Sequence, residues 1–131
     1  MKVIQNVIMR SQLESIRPVI QTKNIEKEKN EVEYFQNLTL RPILKFQNDL
    51  ILSIFRYHLE KHKIVFHQLT DTKQNEYVEQ IIHKDRKIHH VLLGLVIGHF
   101  TEIEYETYIK HERELNRRIM ALLIQRLQNE L

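Results

Sequence analysis

Residues 43–62 read ILKFQNDLILSIFRYHLEKH. Within and just beyond this stretch, Lys45, Asp49, Ser53, Arg56, Glu60 and Lys63 recur at intervals of four, four, three, four and three. Such spacing draws one polar stripe down a helix. Most of the remaining circumference is apolar: Ile43, Leu44, Phe46, Leu50, Ile51, Leu52, Ile54, Phe55 and Leu59. A helix apolar over so wide an arc is covered on several sides. The stretch therefore predicts an all-α chain with a long central helix near residues 40–62.

The flanking sequence repeats the pattern. Downstream, Thr70-Asp71-Thr72 forms an N-cap cluster, followed at helical spacing by Tyr77, Val78, Ile81 and Ile82. Asp85 is placed to cap a further helix with Ile88, Val91, Leu92, Leu95 and Val96 on its apolar face, and Gly98 stands at its C-terminal end. Thr101 and Glu104 have the spacing of a reciprocal capping box. A long C-terminal helix is expected near 102–128, with Tyr105, Tyr108, Leu115, Ile119, Leu122, Leu123 and Leu127 as its buried stripe. Upstream, Pro42 either sits in the first turn of a helix capped by Thr39 or kinks a longer one. Residues 23–33 mix charges in the manner of a solvated helix surface, with Ile25, Val32, Phe35 and Leu38 as a narrow apolar stripe. The segment Lys63 to Leu69, with Ile64, Val65 and Phe66, is the one place where a short strand competes, and a helix end or tight connection is expected there. Residues 1–20 read as an N-terminal arm or short helix, with Val3, Ile4, Val7 and Ile8 at helical spacing and a stop at Arg17-Pro18. Residues 21–131 read as a single helical-bundle domain of about five helices.

Composition agrees. The chain has 131 residues, two glycines and two prolines, and a sheet protein needs more of both for its turns. Cysteine is absent, which excludes disulfides, thiolate metal sites and thiol nucleophiles. The longest apolar run, Val91 to Ile97, is far short of the roughly 18 residues of a membrane span. The start lacks an apolar export core and a small-residue cleavage site, so a cytoplasmic protein is expected. The formal net charge of +3 permits an acidic partner without requiring one.

The stretches Phe35 to Asp49, Leu93 to Glu102, Glu114 to Ile119 and Ile124 to Leu127 carry a likeness. They resemble a group of short all-helical bacterial proteins, some of which bear the label glyoxalase. The likeness covers roughly the last three quarters of the chain. The glyoxalase fold is a pair of βαβββ modules whose His and Glu ligands stand on strands. This sequence has no such strands, so the resemblance implies kinship among helical proteins and supplies no catalytic residue.

Candidate sites follow from residue type and spacing. His58 and His62 stand four apart on the predicted central helix and share a face, the geometry of a two-point metal clamp. A third ligand has to come from elsewhere, and surface or structural histidines are the plainer reading. No histidine has an acidic residue three positions before it, which removes the Glu-x-x-His pattern of di-iron bundles. No metal or other cofactor is expected. Gly94 and Gly98 form a flat strip suited to close packing, or to a small ligand with His99 and Glu102 at its mouth, in a pocket that would also draw on Tyr105 or Glu112. Glu112 interrupts the apolar line of the C-terminal helix, either at its edge or buried against a basic partner. Arg56, Lys61, Lys63, Lys84, Arg86 and Lys87, near His89 and His90, offer a basic surface. The helix after Asp85 is too apolar to read bases in a groove, so nucleic acid is disfavoured. The leading expectation is a non-enzymatic protein that works by association with itself or another protein. A pocket in the bundle core for a small ligand or substrate is the alternative, and weak nucleic-acid binding the second alternative.

Overall fold

The computed structural model describes residues 9–19 and 30–131. Among them are seven α-helices and no strand: α1 (Glu31–Phe35), α2 (Arg41–Phe46), α3 (Asn48–Lys61), α4 (Asp71–Lys84), α5 (Arg86–Ile97), α6 (Glu102–Lys110) and α7 (Glu112–Glu130). A π-helical turn, Gln36–Leu40, joins α1 to α2, and 3-10 helices cover Arg10–Ile16 and Phe66–Gln68. No helix of the described residues is long and apolar enough to cross a membrane. The all-α reading holds. The count rises from about five because both of the long rods expected from the sequence are broken.

Pro42 accounts for one irregularity. Its missing N–H would leave a carbonyl one turn back without a partner. The chain answers with the widened π turn, in which the Arg41 N–H reaches the Gln36 carbonyl. Leu40 and Arg41 both stay in the right-handed helical region, so the helix is kinked and does not restart. Thr39 is therefore no N-cap; it lies inside the helix and is buried. A second bend falls at Gln47, between α2 and α3, where backbone bonds from Gln47 to Ile43 and from Ile51 to Gln47 carry the ladder across at 2.9 Å each. The helix expected near 102–128 breaks at His111, whose φ of −129° and ψ of 34° leave the helical region. Glu112 interrupts the apolar line because it opens a new helix. It is exposed in the first turn of α7, where a carboxylate meets the positive end of the helix dipole.

The local end signals act as their residue types dictate. Thr70 accepts from the Lys73 N–H at 3.2 Å. Thr101 and Glu104 satisfy each other's backbone N–H groups at 3.2 and 2.9 Å. Gly98 does end α5, but with φ −60° it is right-handed; its small size matters instead, since a Cβ there would lie 3.0 Å from the Gly94 carbonyl oxygen. The left-handed cap belongs to Lys63 (φ 56°) at the end of α3, where the Ile64 and Lys63 N–H groups return to the Leu59 and Glu60 carbonyls at 2.9 and 3.1 Å. Residues 64–65 then form the tight connection expected there.

The core is centred on α7 rather than on the stretch read as central. Leu115, Ile119, Met120, Leu123 and Leu127 are buried against α3, α4, α5, α6 and the π turn. Helix α3 contributes Ile51, Leu52, Phe55 and Leu59 but keeps an uncovered side. Tyr105 of the expected C-terminal stripe is exposed, while Tyr108 is buried. The helical pattern at Val3, Ile4, Val7 and Ile8, and most of the charged stretch beginning at Lys23 with its Ile25, lie outside the described residues. Of the arm, residues 10–16 form the 3-10 helix, and Arg17 turns extended before Pro18, as steric contact with a proline ring requires.

A lysine in the left-handed region carries a Cβ clash that glycine avoids. Lys63→Gly is therefore expected to raise folding stability by about 0.5–1 kcal/mol, read as a higher urea midpoint with an unchanged slope. A lower midpoint would show that the Lys63 side chain does more than tolerate its backbone.

Candidate functional site between α3 and α5

Three ligand-type side chains meet where the C-terminal half of α3 passes the corner between α4 and α5. His58 stands in the last turn of α3 and His62 caps its C-terminal end on the same side, with ring centroids 4.4 Å apart. Asp85, read from the sequence only as a cap, is the third. Its Oδ1 accepts from the Ile88 N–H at 3.1 Å and so starts α5. Its Oδ2 faces the Nδ1 of His58 at 3.9 Å. One ligand atom from each of the three residues lies within 4.8 Å of the others. On the far side of the His58 ring, Nε2 is 3.1 Å from the Tyr77 hydroxyl of α4. His58 is thus bonded at Nε2 and faces Asp85 across 3.9 Å at Nδ1, while His62 is exposed.

The surroundings set the charges. Burial pushes His58 below its usual range and His62 beside it adds to this; Asp85 opposes, without reversing the direction. Asp85 is held below the usual carboxylate range chiefly by the Ile88 N–H bond. Burial raises the Tyr77 hydroxyl, and the Asp85 charge raises it further. Near neutral pH the cluster is a neutral imidazole, an ionised carboxylate and a phenol, the protonation states that bind a cation.

His58, His62 and Asp85 line one wall of a pocket of about 420 Å³. Ile54, Tyr57, Ile88 and Val91 form its apolar side, and Lys61 and Lys87 stand at the same opening. Of the basic residues picked out in the sequence, this pocket gathers Lys61 and Lys87; Arg56, Lys63, Lys84 and Arg86 are exposed on other parts of the surface.

A second polar cluster is buried at the other end. Arg17 grips Glu104 with two hydrogen bonds of 2.7 Å each. The Arg17 guanidinium also donates to the His99 backbone carbonyl, and its Nε donates to His99 Nδ1 at 3.1 Å. Arg10 of the arm reaches the Gly98 and Phe100 carbonyls at 2.9 and 2.6 Å. Among the described residues, arginines fasten the arm to the loop between α5 and α6. No sequence signal marked Arg17 or Glu104 as partners. His99, expected at a pocket mouth, is instead buried, with its ring 4.9 Å from that of Phe46. Because Nδ1 accepts from Arg17, the proton sits on Nε2, which is buried without a hydrogen-bond partner among the described residues. Gly94, Gly98, Glu102, Tyr105 and Glu112 are exposed, and none lines the α3–α5 pocket. A wider depression of about 640 Å³ lies beside Arg17 and Glu104, but the segment joining its Val19 and Glu31 walls is outside the described residues.

No protein-family model matches the chain, and no curated protein or solved structure is detectably similar to it.

The arm's fastening ties stability to pH. Burial and the Arg17 charge hold His99 below its ordinary 6.5. The unfolded chain takes up that proton first, so this contribution is whole above about pH 6.5 and shrinks as pH falls below it. For Glu104, burial pushes upward, but the bonds from Arg17 and Thr101 outweigh it and the net shift is below the ordinary 4.5. Its contribution is present above about pH 4.5 and is lost as pH falls through the folded value. The urea midpoint should drop between neutral pH and about pH 5. His99→Asn keeps an oxygen where Nδ1 accepts from Arg17 and should shrink the drop; an unchanged drop would remove His99 from the account. Arg17→Met strands the buried carboxylate and should cost about 3–5 kcal/mol of stability by the same measurement.

Proposed function

We propose that this chain works by association, two copies meeting through the outer face of α3 and α5. The observation that carries the reading is the row of large apolar side chains that the monomer leaves uncovered. Phe46, Leu50 and Tyr57 follow helical spacing along α2 and α3 and are 44%, 48% and 64% exposed; Val91 on α5 is 45% exposed. Tyr57 and Val91 line the same pocket, so the row is shared by the two helices. The α3 stretch carries more apolar residues than this monomer buries, and contiguous exposed apolar surface marks an interaction site. Aromatic side chains of this type favour the buried centre of an interface. Gly94 is exposed with open space where a Cβ would stand, which lets another helix backbone approach closely. A second copy supplies the same face across a two-fold axis, the commonest symmetry among homo-oligomers.

The resemblance of residues 35–49 and 93–102 to short bacterial proteins, some labelled glyoxalase, supports kinship with helical proteins and no reaction. The described residues contain no strand to carry that fold's ligands.

Light scattering at micromolar concentration is expected to give about 32 kDa, twice the 16.0 kDa chain. Leu50→Glu, at an already exposed position, should give the monomer mass with the helical far-ultraviolet spectrum unchanged. A wild-type chain that stays monomeric at these concentrations contradicts the reading.

A further inference from the structure

We propose that His58, His62 and Asp85 bind one divalent transition-metal ion of the zinc type. The proposal does not rest on the association reading. The donors are two imidazoles and one carboxylate, a set that suits Zn²⁺ or Co²⁺ and not the all-oxygen cages of Ca²⁺ or Mg²⁺. Three protein ligands leave a fourth tetrahedral position for water or another ligand, and here that position faces the pocket walled by Ile54, Tyr57 and Val91.

The arrangement goes beyond proximity in three respects. First, the atoms offered are the free ones. Asp85 spends Oδ1 on the Ile88 N–H and keeps Oδ2 on the His58 side. His58 turns Nδ1 to the same side and sets Nε2 3.1 Å from the Tyr77 hydroxyl, placed to donate to it once Nδ1 holds the ion. Ligand histidines are commonly fixed by such a bond from the second ring nitrogen. Second, the donors come from two separate places in the fold, the end of α3 and the α4–α5 corner, which an ion here would bridge. Third, the one ligand with freedom to close on the ion is the exposed one, His62. Ligand atoms within 4.8 Å of one another must draw in to roughly 3.4 Å for bonds of about 2.0–2.1 Å. A turn of the His62 side chain supplies most of that movement. The ammonium groups of Lys61 and Lys87 at the opening oppose a cation, and favour an anionic fourth ligand over a neutral one.

Calorimetric titration of the whole, metal-stripped chain with Zn²⁺ tests the proposal. One ion per chain is expected, with a thermal midpoint that rises on loading, because the ion ties α3 to the α4–α5 corner and binds only the folded state. His62→Ala, at an exposed position that should not disturb folding, is expected to abolish both the one-to-one binding step and the thermal rise. His90→Ala, which breaks the rival neighbouring pair His89–His90 with ring centroids 5.3 Å apart, should leave both intact. Tyr77→Phe should weaken binding roughly 10- to 100-fold while keeping the stoichiometry, as loss of an outer partner does. Absence of a saturable site, or one-to-one binding that survives His62→Ala, overturns the proposal.

Discussion

The carboxylate of Asp85 is committed in two directions, and the geometry between α3, α4 and α5 depends on that. One oxygen accepts the Ile88 N–H in the first turn of α5 and caps the start of that helix. The other faces His58 on α3. A capping bond of this kind is worth about 1 kcal/mol locally. Its larger effect is positional. It lies at the corner after α4, where Tyr77 bonds one nitrogen of His58 and Asp85 faces the other across 3.9 Å. The ring of His58 is then fixed by its bond to Tyr77 with Nδ1 turned towards Asp85, and the pocket beside it takes its shape from residues around that corner.

The opposite end is held by a different device. Arg17 crosses 87 positions of sequence to pair with Glu104, a residue that already serves the start of α6 through the Thr101 capping box. Glu104, like Asp85, closes a helix start and also takes part in a tertiary contact. A buried ion pair of this sort adds little net stability compared with an apolar substitute, but it is costly to break from one side. It therefore acts as a specific fastening. In the docked arm the guanidinium meets both the Glu104 carboxylate and the carbonyl of His99. Between the two ends runs the uncovered face of α3, which ties the fastenings to the proposed association surface.

What could be read from the sequence was what is local. Three helix starts, at Thr70, Asp85 and Thr101, rest on side chains within three residues of the groups they satisfy, and each was legible. The break before α7 had a visible sign in Glu112, a charge on an apolar line, though its meaning as a helix start needed the backbone. Lys63 gave no sign, because a left-handed cap is ordinarily announced by glycine. The breadth of the apolar arc around residues 43–62 suggested a helix covered on several sides. It is covered on fewer, and helical periodicity cannot tell coverage by the same chain from coverage by another. Of the candidate metal ligands, the His58–His62 pair followed from its spacing. Asp85 did not, since its approach depends on the path of the whole of α4. Arg17 and Glu104 were hidden for the same reason, each having a sufficient local explanation as a helix stop and a cap.

The dual use of Asp85 is tested most directly by diffraction from crystals grown with Zn²⁺, using data collected at the zinc absorption edge. The account predicts an anomalous peak bonded to His58 Nδ1, a His62 ring nitrogen and Asp85 Oδ2, with Asp85 Oδ1 still accepting from the Ile88 N–H and Tyr77 still on His58 Nε2. A map with no peak in that position, or with zinc bound only at other histidines, would contradict it.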